Sequence, residues 1–126
     1  SITRDINATE DASLYAFQHH LHQLTENGFE NLGAIGFLPR LGPSGRYAYS
    51  HNTRNGTIDR FDLQNRDADG QFVIAPPSID MNFMEGVRLI KAFTANEQFA
   101  FVLNDHGIGG IALDPDSPEF GVFSRD

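Results

Sequence analysis

The stretch that decides how this chain is read is Asn7–Phe29, "NATEDASLYAFQHHLHQLTENGF". Leu14, Phe17, Leu21 and Leu24 recur at helical spacing and form one apolar stripe, which predicts an amphipathic helix. Asn7 and Glu10 have the spacing of a capping box, with Thr9 as an alternative cap, and Asn27-Gly28 is a C-terminal stop.

Beyond the helix the periodicity changes. "LGAIGFL" (32–38) and "RYAYS" (46–50) read as a strand pair joined by the turn chemistry of "PRLGPSG". "TIDRFDL" (57–63) is a third strand, regular from Arg60, with Phe61 and Leu63 on one face and Arg60 and Asp62 on the other. "QFVIA" (71–75) is a fourth, after which "PPSIDMN" breaks the chain. "FMEGVRLIKAF" (83–93) predicts a second helix with Phe83, Val87 and Ile90 inward and Met84 as a further candidate. "EQFAFVL" (97–103), "GGIALD" (109–114) and "FGVFS" (120–124) close the chain as strands. The order predicts an α+β fold in a single domain over residues 1–126, with a mixed or antiparallel sheet. The second helix falls before the penultimate strands, and no internal repeat is expected.

A chain of 126 residues, 40% hydrophobic and 21% charged, can bury one sizeable core, and its 11 Phe would fill much of it. The absence of cysteine removes disulfides, thiolate metal sites and a cysteine nucleophile. A net charge of −8 argues against a nucleic-acid partner, which needs a basic face, and suits a soluble protein or one that meets a basic partner, plain solubility being the simpler reading. No apolar run reaches membrane-spanning length, so no membrane association is expected. The N-terminus lacks the regions of a signal peptide, which suggests a cytoplasmic protein or one delivered as part of a secreted effector. The first residue is Ser rather than Met, which fits a chain trimmed from something longer.

Three groups of residues are candidates for chemistry. His19, His20 and His22 cluster on the predicted helix, where His19 and His22 have the spacing of a metal pair, but as neighbours of the apolar stripe they read as its solvated edge. Asn65, Asp67, Asp69 and Gly70 match the first positions of a calcium loop, with Pro76 where the bidentate Glu would stand, so a plain turn is the simpler reading. Glu30, His106, Ser124 and Asp126 would together supply a general base, metal ligands and a serine for a zinc hydrolase.

The helix running into "GFENLGAIGF", with "GRYAYS" and "NTRNG", resembles the start of JAB/MPN-like (JAMM) domains of the kind attached to Rhs-type bacterial polymorphic toxin proteins. Residues 10–56 and 99–126 carry the resemblance. It implies a metallopeptidase-type fold in a bacterial toxin system, acting on a peptide substrate or a protein partner. Glu30 and Ser124 would then be catalytic, and zinc would be held by His106 and Asp126. Asn104 stands where the family's first histidine would, so the resemblance implies a degenerate metal site or Asp105 as a replacement ligand. The alternative is a non-catalytic binding module, such as an acidic immunity protein that neutralises a toxin. Whether the chain is an enzyme is left open by these residues.

Overall fold

The computed structural model describes residues 7–9, 11–80, 89–104 and 107–124. The stretch that predicts a helix is two strands, β1 (Leu14–Phe17) and β2 (His20–Thr25), followed by β3 (Gly28–Ala34). Gln18 and His19, both at positive φ, make the two-residue turn between β1 and β2, and such turns match the twist of an antiparallel pair. The stripe is thereby split between two faces. Leu21 is buried and Leu14 packs beside it, while Phe17 and Leu24 are exposed. Alternation with period two, Leu14/Ala16 against Tyr15/Phe17, displaces the helical reading. Asn27-Gly28 ends no helix; it turns β2 into β3, with Gly28 at positive φ.

The α+β expectation is therefore corrected: among the described residues there is no helix, and the strands form three antiparallel sheets. The second sheet holds β4 (Phe37–Leu41), β5 (Tyr47–Asn52), β6 (Thr57–Arg66) and β7 (Phe72–Ile74), and β8 (Ile79–Asp80) pairs with β6 beyond the end of β7. The third holds β9 (Leu89–Phe93), β10 (Phe99–Asn104), β11 (Gly107–Ala112) and β12 (Phe123–Ser124). Leu89–Phe93, the end of the second predicted helix, is thus a strand; the rest of that segment lies outside the described residues. The strands expected from "RYAYS" onward are found, with β6 beginning at Thr57 rather than Arg60.

The same strand–turn–strand arrangement recurs in all three sheets, although no internal repeat is visible in the sequence. Strands β4 and β9 begin 52 residues apart (37 to 89), as do β5 and β10 (47 to 99). Their registers coincide: Leu41 pairs with Ala48 as Phe93 pairs with Ala100, and Arg40 with Tyr49 as Ala92 with Phe101. A register shift follows at the same place in both pairs, on either side of Pro39 and Lys91. The turns that follow are superimposable in their hydrogen bonds. Gly42 N–H donates to Tyr47 O at 2.9 Å, Thr94 to Phe99 at 2.9 Å and Thr9 to Leu14 at 3.0 Å. Gly45, Glu97 and Ala12 hold the same positive-φ position. The Ser44, Asn96 and Asp11 side chains each accept from the backbone N–H two residues on. The first unit thus contains β1–β3 preceded by Ala8, which bridges Tyr15 as Leu41 and Phe93 do their partners.

Each sheet lies face to face on the next. Leu21, Ile35, Leu41, Ala48 and Phe72 form the core between the first and second sheets. Tyr49, Ile58 and Ile79 pack on Ile90, Val102 and Ile111 between the second and third. Fully burying such side chains is worth about 1.5–3 kcal/mol each. The inter-sheet hydrogen bonds repeat as well: Asn7 Nδ2 donates to Pro39 O at 2.6 Å, and at the equivalent place Arg40 Nη2 donates to Lys91 O at 2.8 Å. Glu97 adds a clasp between the last two sheets. Its carboxylate accepts from Tyr49 Oη at 2.9 Å and Ser44 N at 3.0 Å, in the space that Gly42 leaves by having no Cβ. Burial, and then the Glu97 carboxylate, push the Tyr49 phenol well above its ordinary pKa, so it stays a donor.

Ile58→Ala or Val102→Ala should cost about 2–5 kcal/mol in urea unfolding, against within about 0.5 kcal/mol for Gln64→Ala on the exposed end of β6. Glu97→Ala should cost about 1–3 kcal/mol by leaving the buried Tyr49 hydroxyl without its acceptor.

Candidate functional site

In each unit the turn between its second and third strands and the link into the following sheet share one end of the stack, because the strands alternate in direction. At that end of the middle sheet, a cavity of about 560 Å³ opens between the 52–57 turn and the link at Gly36 and Phe37. Phe37, Phe61 and Ile74 line one part of it, and Asn52, Arg54 and Asp59 another.

The polar wall is built locally. Gly56 N–H donates to Asn52 O at 2.8 Å, closing the turn, and Asn55 N–H donates to Asn52 Oδ1 at 3.0 Å. The other end of the same amide, Asn52 Nδ2, donates to Asp59 Oδ2 at 2.9 Å. Thr57 and Ser78 hydroxyls donate to Asp59 Oδ1 at 2.7 and 2.8 Å. The buried Asp59 carboxylate is thus satisfied by three neutral donors and fixes the wall as one network. Arg54, by contrast, is an exposed side chain that a ligand in the cavity can reach. Gly36 is at positive φ, and a Cβ there would run into the Ser50 side chain and the Phe61 ring, so the cavity's shape depends on that residue.

His51 also borders the cavity. It is buried, its Nε2 has no hydrogen-bond partner, and burial lowers its pKa, so the imidazole is neutral near pH 7. Chemically the cavity offers an apolar wall, amide and hydroxyl groups and one accessible cation. That combination suits recognition of a small polar molecule.

The residues singled out from the sequence are dispersed. Glu30 is exposed on β3 of the first sheet, paired in the ladder with Gln23. Ser124 belongs to β12 of the third sheet, paired with Gly110, and the middle sheet lies between these two. Asp105, His106 and Asp126 lie outside the described residues. The histidines near the N-terminus do not share a helix face. His19 sits in the turn with its ring 5.4 Å from that of Phe37, and His22 is on β2 between Phe17 and Phe29. In the calcium-like loop, Asp67 Oδ1 accepts from the N–H groups of Asp69 and Gln71 at 2.9 and 3.0 Å, and Gly70 takes the positive φ. That carboxylate holds the β6–β7 turn.

Sequence reasoning missed the 52–59 network. The signal available was the run Asn52–Gly56 followed by Asp59, short polar residues at the mouth of a hairpin. Among the described residues no helix is long and apolar enough to cross a membrane. No known protein family, curated protein or solved structure matches the chain.

Two outcomes follow for the site. Stability should be steady above the ordinary histidine range and fall as pH drops through it, because the unfolded chain takes up the proton that buried His51 resists. His51→Asn should flatten that fall in pH-dependent urea titrations. Gly36→Ala should destabilise the fold by about 1–3 kcal/mol, read in the same titrations, through strain and the clash with Ser50.

Proposed function

We propose that the chain is a run of blade-type repeat units of the kind that builds β-propellers, and that it works as a non-catalytic binding scaffold with its ligand site in the cavity at Gly36, Asn52 and Arg54. One observation carries the reading: the turn hydrogen bonds of Thr9, Gly42 and Thr94 recur in three consecutive units whose sheets stack face to face. Propellers are built by repeating a four-stranded antiparallel sheet in this manner, each chain segment of about 40–50 residues making one blade. Blade scaffolds hold their frames rigid while turns at one end vary, so recognition falls on residues such as those of the 52–57 turn. Arg54 supplies the charge at that turn, which favours a ligand with a carboxylate or phosphate group.

Two experiments test the proposal. Replacing residues 9–13, "TEDAS", by "TANEQ" from residues 94–98 should leave a folded protein within about 1 kcal/mol of the parent, since both segments make the same bonds. Loss of cooperative unfolding in that variant would sink the repeat. For the site, a thermal-shift panel of small carboxylates, phosphates and neutral sugars should give an anionic ligand whose stabilisation disappears in Arg54→Ala and persists in Glu30→Gln. A stabilisation by zinc that persists in Arg54→Ala and is lost in Glu30→Gln or His106→Ala would favour metal chemistry instead.

A further inference from the structure

We propose that the cavity of the middle sheet takes a sugar bearing an acidic group, and that the Ser50 hydroxyl is the buried contact that reads its ring. This deepens the ligand-site reading above and rests on it. The three sheets carry the same ladder pair at this place, with different chemistry. In the third it is Val102 with Gly109, and Val102 is fully buried in the core. In the first it is Phe17 with His20. The middle sheet has Ser50 with Asp59, 2% and 4% exposed, and both line the cavity. A hydroxyl where the third sheet has valine adds little to packing, and its burial costs free energy unless a partner bonds it. The bonds that hold the polar wall run from Asn52, Thr57 and Ser78 to Asp59 and do not use that hydroxyl. Gly36 lies directly against it. A Cβ there would meet Ser50 Oγ and the Phe61 ring, so the missing side chain leaves the hydroxyl its space.

Three surfaces of the cavity define the ligand. Phe37, 49% exposed, and Ile74, 41% exposed, form with Phe61 a wall for an apolar C–H face. Ser50 Oγ can donate and accept, and the Asp59 carboxylate, after three neutral donors, keeps room for a further one. Both groups answer to hydroxyls. A framework that is apolar on one face and carries hydroxyls at its edge is a pyranose ring. Arg54, exposed beside these groups, adds the demand for a carboxylate or phosphate. Uronic acids, sialic acids and sugar phosphates share this chemistry. A plain anion would satisfy Arg54 and leave Ser50 and the apolar wall unused, and a neutral sugar would leave Arg54 unused. The cavity, at about 560 Å³, has the size of a site for one small ligand.

The test is calorimetric titration of the full chain with glucuronate, galacturonate, N-acetylneuraminate and glucose 6-phosphate, beside glucose, galactose, acetate and inorganic phosphate. At least one acidic sugar should bind about tenfold or more tightly than every neutral sugar and every sugar-free anion. Ser50→Val, which copies the third sheet, should weaken that sugar by about tenfold, the worth of one hydrogen bond, with an unchanged or higher unfolding midpoint. Phe37→Ala should weaken the sugar in the same way and leave acetate and phosphate binding as they were, since its ring is exposed and faces only the apolar part of a ligand. Acetate or phosphate binding as tightly as the acidic sugars, or full sugar affinity in both variants, overturns the sugar while the Arg54 anion site stands. Neutral sugars binding as tightly as acidic ones overturn the acidic group. A chain that binds no member of the panel overturns this inference and the ligand-site reading together.

Discussion

The sheets of this chain bury their apolar faces against one another, so each depends on the sheet beside it. The face-to-face contact of Tyr49, Ile58 and Ile79 with Val102, Ile90 and Ile111 is the interaction on which the rest is built. It orders the third sheet, and its counterpart around Leu21, Ile35 and Phe72 orders the first. The hydrogen bonds from Asn7 and Arg40 then tie successive sheets together at equivalent points.

Once the middle sheet is covered on both sides, its polar groups can leave only at its ends. Asp59 is buried and still satisfied, because Asn52, Thr57 and Ser78 converge on it at one end of the sheet. The candidate site is therefore a consequence of stacking as much as of the turn. At the opposite end, Arg46 pairs with Asp62 through two bonds of 2.9 and 3.0 Å and pulls the Asp62 pKa below its usual value. Arg46 remains largely exposed there, so the pair orders the turn more than it stabilises the fold.

Much of the strand content was legible. "RYAYS", "TIDRFDL", "EQFAFVL" and "GGIALD" alternate or run apolar between Gly-rich turns, and each is a strand. The N-terminal stretch was misleading for a definite reason. Leu14, Phe17, Leu21 and Leu24 satisfy a helical period only if Gln18 and His19 are counted as helix, yet these two form the turn. The repeat was hidden because the positions that define it tolerate different residues. Thr9, Gly42 and Thr94 share a backbone bond, and Ala12, Gly45 and Glu97 share a backbone angle, so neither is visible as sequence identity. The unequal spacing, 33 residues from Thr9 to Gly42 and 52 from Gly42 to Thr94, conceals it further.

By itself the sequence determined the turns and the strands from Gly42 to Ile74 and again from Phe99, since Gly, Pro, Asn and Asp restrict the backbone locally, whereas Leu89–Phe93 reads as helix in the sequence. Which face of each strand is buried, and that Phe17 and Phe29 are exposed while Ile58 and Phe72 are not, was decided only by the tertiary structure. Burial depends on whether another sheet lies opposite, and that is settled by contacts between residues far apart in the chain. The candidate site divides the same way: Asn52 and Gly56 write the turn locally, whereas Ser78 and Gly36 reach it only through the folded sheet.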